Sequence, residues 1–204
     1  MKRPLKATYS TLLPEAGCDE AGRGCLAGPV TAAAVMLPEK PGKLLSEGLN
    51  DSKQLSPSER QRLKILIQSE ALAYGVATVD HHTIDQVNIL QASIMAMHKA
   101  LDMLPIKPAR ILVDGRHFNA YQNISHVCVI RGDSTYLSIA AASVLAKVCR
   151  DEYMVELDRR HPEYGWLTNK GYPTPAHRKA ILSHGLSKYH RKSFHINTQQ
   201  RLTL

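Results

Sequence analysis

Residues Gly17–Val30 read GCDEAGRGCLAGPV. Two adjacent carboxylates, Asp19 and Glu20, run straight into the glycine-flanked arginine Gly22-Arg23-Gly24, with small and apolar residues on either side where a solvated acidic pair would be out of place. Outward from it, Ala16–Glu20 and Gly28–Leu37 have strand character, so the segment forms the turn of a hairpin whose faces are buried and built from small residues. A carboxylate pair can hold a hard divalent cation through oxygen. Glycines let peptide N–H groups approach a sugar or a phosphate closely. Taken alone, the pair fits a tight Asp/Gly turn between two strands equally well.

The remainder of the chain alternates helix and strand patterns. Pro38 to Gly48 is punctuated by Pro, Gly and Lys and reads as a loop leading to Asp51-Ser52-Lys53. That cluster is either ordinary loop chemistry or a phosphate contact from the Ser52 hydroxyl and the Lys53 ammonium. Ser56-Pro57 opens a helix to about Ala73, and Tyr74–Val79 alternates like a strand. Thr83 with Gln86 has the form of a capping box for a second helix, whose stripe of Ile84, Val87, Leu90, Ile94, Met97, Leu101 and Leu104 is core packing. Arg110–Asp114 is an apolar strand closing on an acid, the place where open α/β sheets carry functional groups. His126–Ile130 is a further strand, ending in Arg131-Gly132-Asp133. From Ser134 a helix runs to about Arg159, and its Ala140–Ala142 run lets it lie close on a sheet. The class is α/β with a mixed sheet.

With 204 residues and 44% hydrophobic content, the chain is expected to form a single domain, 1–204, with its sheet-and-helix core over about 16–160. A basic segment follows over about 161–195, and 196–204 reads as a disordered tail. The net charge of +8 favours a polyanionic partner. From Tyr164 to Leu204 there is no Asp or Glu, while Lys170, Arg178, Lys179, Lys188, Arg191, Lys192 and Arg201 are present. A phosphate-tracking surface suits that segment better than a merely solvated face. Cys18, Cys25, Cys128 and Cys149 make no C-x-x-C pair, so they read as buried thiols in a reducing compartment. With no signal-peptide h-region and no apolar run of membrane-spanning length, the expected location is cytoplasmic.

Asp19, Glu20, Asp114 and Asp133 each lie at or beside a strand end with glycine adjacent. Gathered together they would repel one another without a cation. If the sheet assembles them, two Mg²⁺ or Mn²⁺ ions can be held there, with water and substrate oxygens completing the shell. Neighbours on a strand face opposite ways, so Asp19 and Glu20 can share a site only if the strand ends between them, as an Ala21-Gly22 turn permits.

DEAGRG with LAGPV, then NDSK, VDG, GDS followed by IAAASVLAK and RD, and finally KGY and a late HRKSF, together resemble the ribonuclease HII family, the bacterial type 2 ribonucleases H. The resemblance extends from Gly17 to Phe194. It implies an RNase H-like fold, a mixed five-stranded sheet flanked by helices with a C-terminal helical extension. It implies endonucleolytic cleavage of RNA in RNA–DNA hybrids, and 5′ to ribonucleotides embedded in duplex DNA, leaving 3′-hydroxyl and 5′-phosphate ends. By the same resemblance Asp19, Glu20, Asp114 and Asp133 are the catalytic, metal-binding acids. Gly22, Arg23 and Gly24 sense the 2′-hydroxyl, the group that separates RNA from DNA. Tyr172 stacks on the neighbouring deoxyribose, and Ser52 and Lys53 lie near substrate phosphates. Cys25 stands where the family often has proline.

A non-catalytic nucleic-acid-binding module would leave the four strand-end acids without a purpose. The nearer alternative is a sister hybrid nuclease that needs longer RNA tracts. The histidines are scattered without metal-ligand spacing and read as surface or satisfied residues. Gln199, Leu202 and Leu204 match in outline a sliding-clamp peptide, Q-x-x-L-x-L, short enough to arise by chance in a frayed end. A monomer is expected.

Overall fold

The computed structural model describes residues 4–49 and 55–195; Ser52, Lys53 and the Gln199–Leu204 motif lie outside the described residues. Five strands form one sheet in the order β3-β2-β1-β4-β5. They are β1 (Glu15–Ala21), β2 (Val30–Met36), β3 (Ala73–Val79), β4 (Arg110–Asp114) and β5 (Ser125–Val129). β2 is antiparallel to both β1 and β3, whereas β1, β4 and β5 run parallel, so the sheet is mixed and the opening hairpin is present.

β1 is the middle strand, and both its faces are covered. Ala16 and Cys18 share one face with Ala32, Ala34, Ile111 and Val113, packed beneath α3 (His81–Asp102) through Ile84, Ala96, Met97 and Leu101. Ala21, Ala33 and Val35 share the other face with α2 (Pro57–Glu70) and α4 (Leu137–Arg160). A strand buried on both sides loses the polar alternation of a half-exposed one. Close approach explains the small residues: a Cβ at Gly17 would collide with the Ser138 and Ile139 backbone of α4. Ala140, Ala141 and Ala142 continue that contact, fully buried.

Several boundaries differ from the sequence expectation; α2 ends at Glu70, and Ala73, expected as its last residue, opens β3. Residues expected as loop include a short helix, α1 (Lys43–Gly48), with Leu45 buried. α3 begins before the expected Thr83 box, because Asp80 is the N-cap and accepts from the Thr83 N–H at 2.8 Å. α3 is also broken at Asn88, where φ is 70° and ψ is 166°, and the Asn88 carboxamide recaps the second half by accepting from Leu90 and Gln91 N–H. This geometry lies outside the left-handed helical basin and is one that side chains rarely adopt, and the local carboxamide bonds to the backbone hold it. Finally, a 3-10 turn over Gly132–Ser134 precedes α4, which starts at Leu137. α2, by contrast, has its expected start, a complete Ser56–Glu59 capping box with Pro57 in the first turn.

The chain closes with α5 (Trp166–Asn169) and α6 (Pro175–His184), the helical extension expected after α4. It then returns to the hairpin turn. Arg191 N–H donates to the Leu26 carbonyl at 2.8 Å, and Gly28 N–H to the Tyr189 carbonyl at 3.0 Å. The basic segment therefore forms one wall behind the glycine-rich turn.

Candidate active site

β1 and β4 run side by side with Cys18 opposite Val113, so Asp19 and Asp114 are the next residues along two parallel neighbours. Both follow the α4 face by strand alternation. Asp133 arrives from the 3-10 turn after β5, and that turn is tied to Asp114: Gly132 N–H donates to Asp114 Oδ1 at 2.7 Å. Glu20 is different. β1 continues through Ala21, with Glu20 opposite Ala32, so the strand does not end between the two acids as expected. Glu20 therefore turns to the α3 side, where it borders a small recess with Ser93, Ile94 and Met97. The acids still share a cleft because it wraps around the end of β1. That cleft, about 220 Å³, is lined by Asp19, Glu20, Gly22, Arg23, Gly24, Asp114, Asp133, Ser143, Lys147 and Tyr172.

Electrostatics mark the cleft as unbalanced. Burial, reinforced by Glu20 and Asp114, holds the Asp19 carboxyl well above the usual carboxylate range, against hydrogen bonds from Ser143 and the Glu20 N–H. Burial also lifts Glu20, and Arg23, bonded to it at 3.1 Å, pulls it partway back. A hard cation relieves such crowding, and oxygen-only donors suit magnesium or manganese. Among the described residues, no group of three or more Asp, Glu, His or Cys side chains is gathered closely enough to hold a metal ion by itself. A cation held by one or two carboxylates, with water and substrate phosphate oxygens in the remaining positions, needs no such group. The donor set fits the ion.

The glycine-rich turn is held from behind by two arginines, Arg150 and Arg191, whose interior role the sequence did not show. Arg150 on α4 donates to the Pro29, Lys170 and Ala27 carbonyls at 3.0, 2.9 and 3.2 Å. Arg191 donates to Gly28 at 3.0 Å, Arg23 at 2.9 Å, Gly22 at 2.8 Å and Pro29 at 3.0 Å. Both side chains are fully buried, so Arg191 is part of the scaffold and not of the basic surface expected for its segment. His177 and His190 are buried with it, whereas Lys179, Lys188 and Lys192 are exposed. Gly22 sits at φ +95°, and a Cβ there would strike the Arg150 guanidinium. Two constraints at one position demand glycine.

Tyr172 stands at the rim, 37% exposed, with Lys147 Nζ 5.4 Å and Arg150 Cζ 5.7 Å from its ring centroid. Its exposed ring is available for stacking. Lys147 and Tyr172 also border a larger cleft of about 720 Å³ between α2, α4 and α5, where Arg60, Arg159 and Lys170 are interspersed with Asp151, Glu152 and Glu156. The smaller cleft holds the strand-end acids. The larger one continues from it as a mixed-charge groove.

A mixed sheet in this order, with acids at the ends of two adjacent parallel strands, defines a nuclease of the RNase H-like fold. The family model described as Ribonuclease HII matches residues 16–197, and the chain belongs to that family of ribonuclease H endonucleases. It is 55% identical over 190 residues to the ribonuclease HII of Parabacteroides distasonis, covering 93% of this chain and 94% of that one. Among solved structures it is similar to ribonuclease H2 from Pyrococcus horikoshii, at 27% identity and a TM-score of 0.75, over 89% of this chain and 94% of that chain. It is also similar to ribonuclease HII from Archaeoglobus fulgidus, solved in complex with PCNA, at 26% identity and a TM-score of 0.77, over 93% and 98% of the two chains. Among the described residues no helix is long and apolar enough to cross a membrane.

Proposed function

We propose that this protein cuts the RNA strand of RNA–DNA hybrids and nicks duplex DNA 5′ to an embedded ribonucleotide, leaving 3′-hydroxyl and 5′-phosphate ends. The observation that carries the reading is the cleft shared by Asp19, Glu20, Asp114 and Asp133 with the Gly22–Gly24 backbone. Asp19, Glu20, Asp114 and Asp133 would hold two divalent cations, Mg²⁺ or Mn²⁺. Bound there, such ions activate water and take up charge on the departing oxygen in an in-line displacement at phosphorus.

The chain's own residues do the rest. Carboxylates at the ends of rigid strands keep their positions while the substrate docks, which favours a near-attack geometry. Gly22, Arg23 and Gly24 lie beside those acids with the carbonyls of Gly22 and Arg23 engaged by Arg191, so the backbone presented to a ribose is fixed before binding. A fixed backbone can sense a 2′-hydroxyl without reading a base. Tyr172 supplies a sugar-stacking face at the rim, and Lys179, Lys188 and Lys192 supply sequence-independent phosphate attraction. Ser52 and Lys53 are assigned to the phosphates on the sequence resemblance. Because the nucleophile is water and not the substrate's own 2′-hydroxyl, selectivity resides in recognition.

Contact of the C-terminal Gln199–Leu204 motif with a sliding clamp is a second reading. It is favoured by the archaeal relative's PCNA complex. Cleavage of duplex DNA carrying one ribonucleotide, with Mg²⁺, with Mn²⁺ and with chelator, tests the main proposal. Nicking that needs a cation and disappears in Asp19→Asn supports it; cleavage only of long RNA tracts refers the chain to a different hybrid nuclease.

A further inference from the structure

Behind Tyr172 lies a buried chain of hydrogen bonds whose protons can be assigned from chemistry alone. The Trp166 indole N–H can only donate, and it lies 3.0 Å from His177 Nε2, so that nitrogen accepts. The Ser187 backbone N–H can only donate, and it lies 2.9 Å from His190 Nδ1. The His190 proton is therefore on Nε2, which faces His177 Nε2 at 3.2 Å and donates to it. The single lone pair of His177 Nε2 is shared between the Trp166 and His190 N–H groups, so the His177 proton is on Nδ1, 2.9 Å from the Tyr172 carbonyl. Two obligate donors thus fix both imidazoles as neutral rings of opposite tautomer, and the last donor in the series points at the residue that carries the exposed tyrosine ring.

The His177 bond is one of three that locate this residue, and the Tyr172 carbonyl also accepts the Thr174 N–H at 2.8 Å. On the other side Tyr172 N–H donates to the Asn169 carbonyl at 2.9 Å. The His177 and His190 rings are closed in by Tyr164 and Trp166, and Tyr189 accepts from Gly28 of the hairpin turn, so the relay cannot slide without repacking this cluster.

We propose that His177 is a positioning residue for Tyr172, and that the Trp166–His177–His190 relay thereby sets how strongly the enzyme selects a junction where a deoxyribose follows the ribonucleotide. The inference rests on Tyr172 as a sugar contact, so its test separates the two. kcat and KM are measured for wild type, Tyr172→Ala, His177→Phe and His177→Asn, on duplex DNA with one ribonucleotide and on an all-RNA hybrid. Asparagine keeps an N–H near the Nδ1 position; phenylalanine removes it. Losing that hydrogen bond should lower the single-ribonucleotide preference about fivefold in His177→Phe, through kcat as well as KM, with His177→Asn within about twofold of wild type.

A preference unchanged in His177→Phe but altered in Tyr172→Ala overturns the positioning role and leaves the sugar contact standing. A preference unchanged in Tyr172→Ala removes the contact and the proposal together. Should His177→Phe not fold, nitrogen-15 imidazole spectra of the wild type decide. An Nδ1-protonated His177 whose N–H resonance moves when the single-ribonucleotide duplex binds in chelator supports the proposal. An Nε2-protonated ring, or a resonance indifferent to the duplex, overturns it.

Discussion

Asp114 Oδ1 accepts the Gly132 N–H at 2.7 Å, so the acid that ends β4 also anchors the turn that delivers Asp133. One carboxylate oxygen is committed to architecture and the other remains available to the cleft. The arrangement separates two substitutions that would otherwise look alike. Asp114→Asn keeps an oxygen able to accept from Gly132, so its stability stays near wild type while turnover falls on the order of a thousandfold or more. Asp114→Ala loses the anchor as well and is destabilised by about 1 to 2 kcal/mol. Urea midpoints alongside single-turnover rates distinguish them, and duplex affinity by fluorescence anisotropy should be nearly unchanged in Asp114→Asn.

Burial beside two other acids resists a charge on Asp19. Its folded pKa is raised by burial and by Glu20 and Asp114, so its contribution to stability is complete below the unfolded carboxylate range and is lost as pH rises through the raised value. At neutral pH in chelator, Asp19→Asn should therefore melt a few degrees above wild type. Adding Mg²⁺ should raise the wild-type melting temperature and leave the variant's nearly unmoved. A variant less stable than wild type in chelator contradicts this reading of the site.

Arg191 is the keystone of the turn's inner side. Replacing it with methionine leaves the carbonyls of Gly22, Arg23, Gly28 and Pro29 without that donor, at a cost of about 3 kcal/mol. Cleavage of the single-ribonucleotide duplex should suffer more than affinity for the duplex, because exposed lysines supply the latter. Denaturant unfolding and binding isotherms on the same preparation check both halves.

His190 makes the C-terminal segment acid-sensitive. Burial and the neighbouring His177 push its pKa down from 6.5 to about 4, so its stabilising contribution is intact above pH 6.5 and is lost as pH falls toward 4. The unfolding midpoint should decline across that window, with a shallower decline in His190→Gln.

The acids were legible in the sequence because they break a rule: charged residues closing apolar strands beside glycine are hard to explain by solvation. The alternation of helices and strands, and the capping box at Ser56, were legible because their signals are local. Arg150, Arg191, His177 and His190 were not. Arg191, His177 and His190 sit in a stretch whose composition looks like a solvated basic face, Arg150 is one charge beside two acids on a helix, and only contacts to residues far away in the chain, such as Gly22 and Pro29, show the arginines to be interior. The break at Asn88 was hidden for a related reason, since the apolar stripe of α3 carries on across it. Strand alternation suggested that Glu20 would need a strand end to reach Asp19, whereas the cleft itself turns the corner.

The chemistry at the cut ends tests the carboxylate centre most directly. Duplex DNA bearing one ribonucleotide is digested with Mg²⁺ or Mn²⁺, and the termini are mapped by mass spectrometry. Water activated at Asp19, Glu20, Asp114 and Asp133 leaves a 3′-hydroxyl and a 5′-phosphate immediately 5′ to the ribonucleotide. A 2′,3′-cyclic phosphate, or equal cutting in chelator, would contradict it.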